Sequence, residues 1–158
     1  MNERRKLINW MAGVTTFIVV LLIVIVLLDR EEDGVSLAAA SRTVALTLES
    51  GNGILENAPE TSNFDEDLSD QWYVKYMDYL YGQGYLDSGS VKADERSATS
   101  AVTYAVLSDW AKKASEEGKG ETDALLSYVD SGDRAKKAVS SENFWKFYDA
   151  FRAAVDPD

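Results

Sequence analysis

The sequence has no cysteine and no histidine, two prolines in 158 residues, and 16 basic side chains against 27 acidic ones. Without cysteine there are no disulfides and no thiol nucleophile. Without histidine there is no imidazole proton shuttle, and the two absences together remove Cys/His zinc sites. The scarcity of proline and the lack of any low-complexity tract argue against disorder. The net charge is −11, and nearly all of it lies beyond residue 33, because residues 1–33 hold four basic and five acidic side chains. A domain of that sign is repelled by nucleic acid and by anionic headgroups, so no nucleic-acid partner is expected, and the charge reads as a solvated acidic surface.

One long apolar run is present. Residues 7–28, "LINWMAGVTTFIVVLLIVIVLL", are uncharged over 22 positions, and at helical rise they reach about 33 Å, enough for a bilayer core. Arg4, Arg5 and Lys6 precede the run and "DREED" follows it, which places the N-terminus in the cytoplasm and the remainder outside. A cleaved secretory signal ending at "AAAS" (residues 38–41) is the competing reading. The length of the run and the charges between it and those alanines oppose it. The chain is therefore expected to divide into a basic cytoplasmic tail (1–6), a transmembrane helix (7–28), an acidic linker (29–35) and an extracytoplasmic helical part.

Within that last part, residues 36–50 read as a first helix with Ser36 or Ser41 as cap, and residues 51–70 as a polar loop. Residues 71–87 hold one Trp and five Tyr. At about 100° per residue Trp72, Tyr73, Tyr76, Met77 and Leu80 share a face, with Gln71, Lys75 and Asp78 turned away. Gly82 and Gly84 should end that helix and fold Tyr85 and Leu86 back onto it. A third helix is predicted with Thr99, Val102, Thr103, Val106, Leu107, Trp110 and Ala114 on one side. A short helix follows around residues 122–130, then a connector at 131–143. A last helix, capped by Ser140 or Ser141, carries Phe144, Phe147, Tyr148, Phe151 and Val155 in a stripe with Trp145 beside it. No strand pattern competes, so the fold class is all-α. "SRTVALTL" from Ser41 and "TSAVTYAV" from Thr99 echo each other weakly.

Chemistry-bearing groups are sparse. Carboxylates lie on every loop without a spacing that demands acid–base work. Asn63, Asp65 and Asp67 alternate as in a calcium loop, but Leu68 and Val74 stand where an EF-hand needs Gly and Glu, and capping of the aromatic helix by Ser69 or Asp70 is the preferred role. "GNG" lacks the lysine and strand of a phosphate loop, and "SATS" has no base partner. No catalytic, cofactor-binding or metal residue is assigned. Trp72, Leu80, Val106 and Trp110 are expected in the core, while Tyr73, Tyr79, Tyr81 and Tyr85 are read as a fringe able to stack on sugar rings or meet a partner helix.

The order of these features resembles the S-layer homology module of bacterial surface proteins. Phe64 and Asp65 match its Phe-x-Asp start, Trp72 and Tyr73 its Trp-aromatic pair, Leu80, Gly84, Tyr85 and Leu86 its helix end, and "TSAV" (residues 99–102) occupies the place of its Thr-Arg-Ala-Glu. "WYVKYMDYLYGQGYL" and "SENFWKFYDAF" are also similar to the membrane-anchored N-terminal regions of Firmicute wall proteins related to the stage II sporulation protein D family. The resemblance implies a helix–loop–helix wall module over residues 36–117, with 118–158 as a helical C-terminal extension. In that family the motif's arginine helps to bind an acidic wall polymer. Here Ser100 stands in its place and Val102 in that of the glutamate, while the earlier copy keeps Arg42 but has Val44 for its acid. The expectation is a single-pass, non-catalytic envelope protein of a Gram-positive bacterium, holding the bilayer through its N-terminal helix and meeting wall glycan or another envelope protein. The rival is the anchoring front of a peptidoglycan-active sporulation enzyme whose catalytic domain lies in no part of these 158 residues.

Overall fold

Ser36 opens the first helix because its hydroxyl accepts a bond from the Ala39 amide at 3.2 Å, satisfying a donor that no preceding turn can reach. In the computed structural model, which describes residues 34–118, 123–129 and 132–156, this helix is α1, Leu37–Leu48. The apolar run at residues 7–28 lies outside the described residues. Among the described residues no helix is long and apolar enough to cross a membrane.

After α1 come α2 (Gly51–Glu56), a 3-10 turn (Glu66–Leu68), α3 (Val74–Gly82), α4 (Glu95–Thr99), α5 (Tyr104–Glu116), α6 (Asp123–Leu126), a second 3-10 turn (Gly132–Arg134) and α7 (Ser141–Val155). The described residues form no strand, only three isolated antiparallel bridges, and the all-α reading holds. α1 sits centrally, against α2, α3, α4 and α7, while α5 packs on α6 and α7. Beyond Leu37 at its start, its buried face is made of small residues, Ala38, Ala40, Ser41, Val44 and Ala45, which lets bulkier neighbours approach its backbone closely. α7 packs on both α1 and α5, and residues Gly34–Asp158 form one compact unit.

Several expectations need correction. Residues 51–70 are not all loop: Ser50 accepts from the Gly53 amide at 3.2 Å and starts α2. The aromatic helix begins at Val74. Ahead of it, successive i+3 bonds, Gln71 N to Leu68 O at 2.9 Å and Val74 N to Gln71 O at 3.1 Å, wind the chain at three residues per turn. That change of pitch rotates Trp72 off the buried face. It is 50% exposed, resting edge-on against Tyr73. The same turns supply carbonyls to the first amides of α3, so neither Ser69 nor Asp70 caps it.

The predicted third helix is two helices. Thr99 and Ser100 hydroxyls bond back to Glu95 O and Arg96 O at 2.8 and 2.6 Å, weakening the end of α4. The chain then runs extended, with Val102 N donating to Val35 O at 2.9 Å and Val102 O accepting from Val139 N at 2.8 Å. Val102, Val106, Leu107, Trp110 and Ala114 are buried as read, whereas Thr99 is exposed. Ser140 caps α7 through the Asn143 amide at 3.3 Å, and Phe144, Phe147 and Phe151 are fully buried.

The glycine turn after α3 closes as the sequence suggests. Gly84 sits at φ 76°, and Tyr85 N and Leu86 N both donate to Leu80 O, at 2.8 and 3.2 Å. An added Cβ at Gly84 would meet only the Lys113 side chain, at 3.7 Å, so conformation and not space sets the cost of substitution. Gly84→Ala is expected to lower stability by about 1–2 kcal/mol. Denaturant titration checks it, and an unchanged midpoint would show that the turn does not need its left-handed residue.

Candidate ligand-binding clefts

The three bridges share one pattern. Gly34 pairs with Ser140, Ser36 with Ala101, and Thr103 with Ala138. Each bridged segment reads Val followed by Ser or Thr: Val35–Ser36, Val102–Thr103 and Val139–Ser140. Each hydroxyl residue is the N-cap of a long helix, α1, α5 or α7. Three helix starts are thereby tied side by side. The echo expected between Ser41 and Thr99 is out of register, since Ser41 is buried inside α1 and Thr99 closes α4.

Beside two of these starts the surface is hollowed. One cleft, of about 380 Å³, lies between Leu37 and the α4–α5 break, with Lys92, Arg96, Ser97, Ser100 and Thr103 among its walls. Asp94 also borders it, but one of its oxygens is spent on capping α4, taking the Ser97 amide at 2.7 Å. Hydrogen bonds from Ser97 hold the Asp94 carboxyl below its ordinary pKa. The second cleft, of about 280 Å³, is lined by Tyr104, Ser127, Tyr128, Arg134 and Asn143. There the Arg134 guanidinium stacks 5.2 Å from the Tyr104 ring centroid, and Asn143 Nδ2 donates to Tyr104 Oη at 3.0 Å. The Tyr128 ring meets Phe147 edge-on at 5.1 Å, and burial raises its phenol above the usual pKa.

The clefts occupy matching places. Each is bounded by the residue following one cap, Leu37 or Tyr104, by the residue three beyond the next cap, Val106 or Asn143, and by an arginine ahead of that cap, Arg96 or Arg134. A guanidinium beside hydroxyls and amides suits carboxylate or phosphate oxygens and sugar hydroxyls.

The tyrosines singled out from sequence do not form such a surface. Tyr73, Tyr79 and Tyr85 are 4%, 5% and 2% exposed: Phe64 of the preceding loop lies against Tyr73, Phe151 of α7 against Tyr85, and Tyr79 is buried near Glu49 and Glu117. The Tyr73 and Tyr81 rings both lie against Phe64, and Tyr85 packs on Phe151. Tyr81 is half-buried. Its hydroxyl donates to Val91 O at 3.0 Å, and burial, with Asp78, Asp94 and Asp87 nearby, pushes its pKa up to about 12. It also borders a shallow cleft of about 490 Å³ with Thr61, Asn63 and Asp87. Tyr85 donates to Glu117 at 2.9 Å, and burial followed by that bond raises its pKa strongly. Arg42 is exposed on α1 with its guanidinium 5.8 Å from the Tyr76 ring, apart from both arginine clefts.

Asn63 turns its amide groups to Asp78 instead of joining Asp65 and Asp67, and among the described residues no cluster of three acidic groups is placed to hold a metal. Asp78, read as outward, is 5% exposed because the Ser62–Asn63 loop lies over it. "TSAV" does not open a helix. The opening residues of α5 are Tyr104, Ala105 and Val106 behind the cap Thr103, which keeps Thr in the first place and Ala in the third of Thr-Arg-Ala-Glu. The signal for Tyr104, Arg134 and Asn143 was the repeated Val-Ser/Thr pair, which periodicity alone does not weigh. Comparison with protein-family models, curated proteins and solved structures finds no match to this chain.

Proposed function

We propose that this chain is a membrane-anchored, extracytoplasmic protein of the Gram-positive envelope whose helical part is a non-catalytic wall-binding module of the S-layer homology kind. The observation that carries the reading is the pair of matching arginine clefts beside bridged helix starts, one of which opens Thr103–Tyr104–Ala105. Tyr104 replaces the motif's arginine, yet Arg134 lies across its ring, so a guanidinium returns to that neighbourhood from the next repeat of the pattern. The ligand class is an acidic wall polymer, with its anionic group at Arg96 or Arg134 and its sugar hydroxyls at Ser97, Ser100, Tyr104 and Asn143. The bilayer run at residues 7–28 keeps the module at the membrane side of the wall.

Cosedimentation of the full chain in mild detergent with wall sacculi tests this. Sacculi bearing their secondary polymer should bind, and sacculi stripped of it by acid should not. Loss of a charge-assisted bond costs about 1.5–3 kcal/mol, so Arg96→Ala with Arg134→Ala is expected to weaken binding at least about tenfold. Equal binding to stripped and intact sacculi would refute the polymer as ligand.

A further inference from the structure

We propose that the shallow cleft at the C-terminal end of α3 binds a primary ammonium group, carried by an amino sugar or by a lysine-like side chain. This cleft, of about 490 Å³, shares no lining residue with the two arginine clefts, so the proposal stands apart from the wall-polymer reading. Its chemistry is the reverse of theirs. Asp87 is its one charged lining residue, and among the described residues no base lines it. The loop that supplies Pro59, Thr61 and Asn63 holds six acidic and no basic side chains over residues 56–70. Gly82, also in the lining, closes α3 at the end where the helix dipole is negative.

The hydrogen-bonding groups of the cleft are set to accept. Asn63 gives its backbone N–H and its Nδ2 to Asp78 Oδ1, at 2.9 and 3.2 Å. Those bonds fix which end of the amide meets the carboxylate and leave Oδ1 as its unused acceptor. Asp87 Oδ1 takes the Gly89 amide at 2.9 Å, and its second oxygen has no partner among the described residues. The Tyr81 hydroxyl donates to Val91 O at 3.0 Å, so toward a ligand it offers an oxygen and a ring, both electron-rich. That ring is held edge-on to Phe64, and the carboxylates of Asp78, Asp94 and Asp87 add negative potential at the phenol. One base does stand nearby: Lys113 Nζ would lie 3.7 Å from a Cβ at Gly84, but it is paired with Glu117 at 3.3 Å. An ammonium carries three donors and no acceptor, which matches this lining. An anion finds no side-chain cation in it, and an apolar ligand would strip water from the Asp87 and Asn63 oxygens without replacing it.

Amide shifts of Ser88 and Gly89, followed by NMR in the full chain in neutral detergent micelles, test this with glucosamine, Nα-acetyl-lysinamide and N-acetylglucosamine as probes. At least one of the two amines should move both amides, with a dissociation constant of roughly 1–10 mM. N-acetylglucosamine keeps the sugar ring but lacks the charge, and should bind at least about tenfold more weakly than glucosamine. Asp87→Asn keeps the acceptor for Gly89 and should weaken amine binding about three- to tenfold. Asp109 acts on the Asp87 carboxyl but does not line the cleft, so Asp109→Asn should change binding less than about twofold. Tighter binding of glucosamine assigns the amino sugar, and tighter binding of the lysinamide assigns the side chain. Ser88 and Gly89 amides that ignore both amines overturn the proposal, as does N-acetylglucosamine binding as well as glucosamine. Equal losses in Asp87→Asn and Asp109→Asn would mean a diffuse acidic surface with no defined site, and overturn it too.

Discussion

Trp110→Ala should remove about 3–5 kcal/mol from the stability of the helical domain and lower its melting temperature by roughly 10–20 °C. Trp110 is fully buried on α5, and its ring stands 6.3 Å from Phe147 of α7, which continues to Phe151 and from there to Tyr85 after α3. Truncation leaves a cavity where α5 and α7 meet, and flanking side chains on rigid helices cannot collapse to fill it. The indole Nε1 has no hydrogen-bond partner among the described residues. Trp110→Phe therefore forfeits volume but no bond and should cost less than half as much, about 1–2 kcal/mol. Thermal and urea melts of the full chain in detergent, followed by helical circular dichroism, measure both. A Phe variant as damaged as the Ala variant would mean that the indole nitrogen is bonded after all.

Asp78→Ala is expected to cost about 2–3 kcal/mol, as the loss of a charged acceptor with several donors. The carboxylate takes Ser62 Oγ at 2.6 Å, Asn63 N at 2.9 Å and Asn63 Nδ2 at 3.2 Å, and Ser62 Oγ in turn accepts the Phe64 amide at 3.1 Å. These bonds hold the loop that lays Phe64 on Tyr73 and Tyr81. Hydrogen exchange should show the Asn63 and Phe64 amides losing protection well before those of α5 and α7. Asp78→Asn keeps one acceptor oxygen and the shape, and should cost about 1 kcal/mol. Unchanged protection at Asn63 in the Ala variant would mean that other contacts hold the loop.

What the sequence disclosed follows from how local each cause is. The caps Ser36 and Ser140, the Gly84 turn and the stripes of Phe144, Phe147, Phe151, Val106 and Trp110 depend on residues within a turn or two, and they were readable. Trp72 was misplaced because its phase presumed a single helical pitch, while bonds at i+3 spacing precede Val74. The break at residues 100–103 has its cause in Val35 and Val139, which no window around Thr99 contains. The tyrosines misled for a related reason. Helical periodicity gives one buried face, but α3 is covered on a second side by its own preceding loop, so Asp78 is buried too, and Tyr79 is buried near Glu49 and Glu117. Arg134 and Tyr104 lie far apart in sequence and meet because Tyr104 N and Ala105 N donate to Lys137 O and Ala135 O, alongside the bridge between Thr103 and Ala138.

That set of bridges also bears on how the chain is made. Gly34 cannot find its partner until Ser140 exists, and Ser36 waits for Ala101. At about 5–20 residues per second the interval for Gly34 is several seconds or more. Throughout it the Ala-rich α1 lacks the α7 that covers it, and its close-approach face stays open. Pairings so distant raise the contact order, which slows folding and concentrates it in a late, concerted step. The segment that starts the helical domain is thus among the last to be locked, and nascent chains truncated before Ser140 are the species most in need of protection from aggregation.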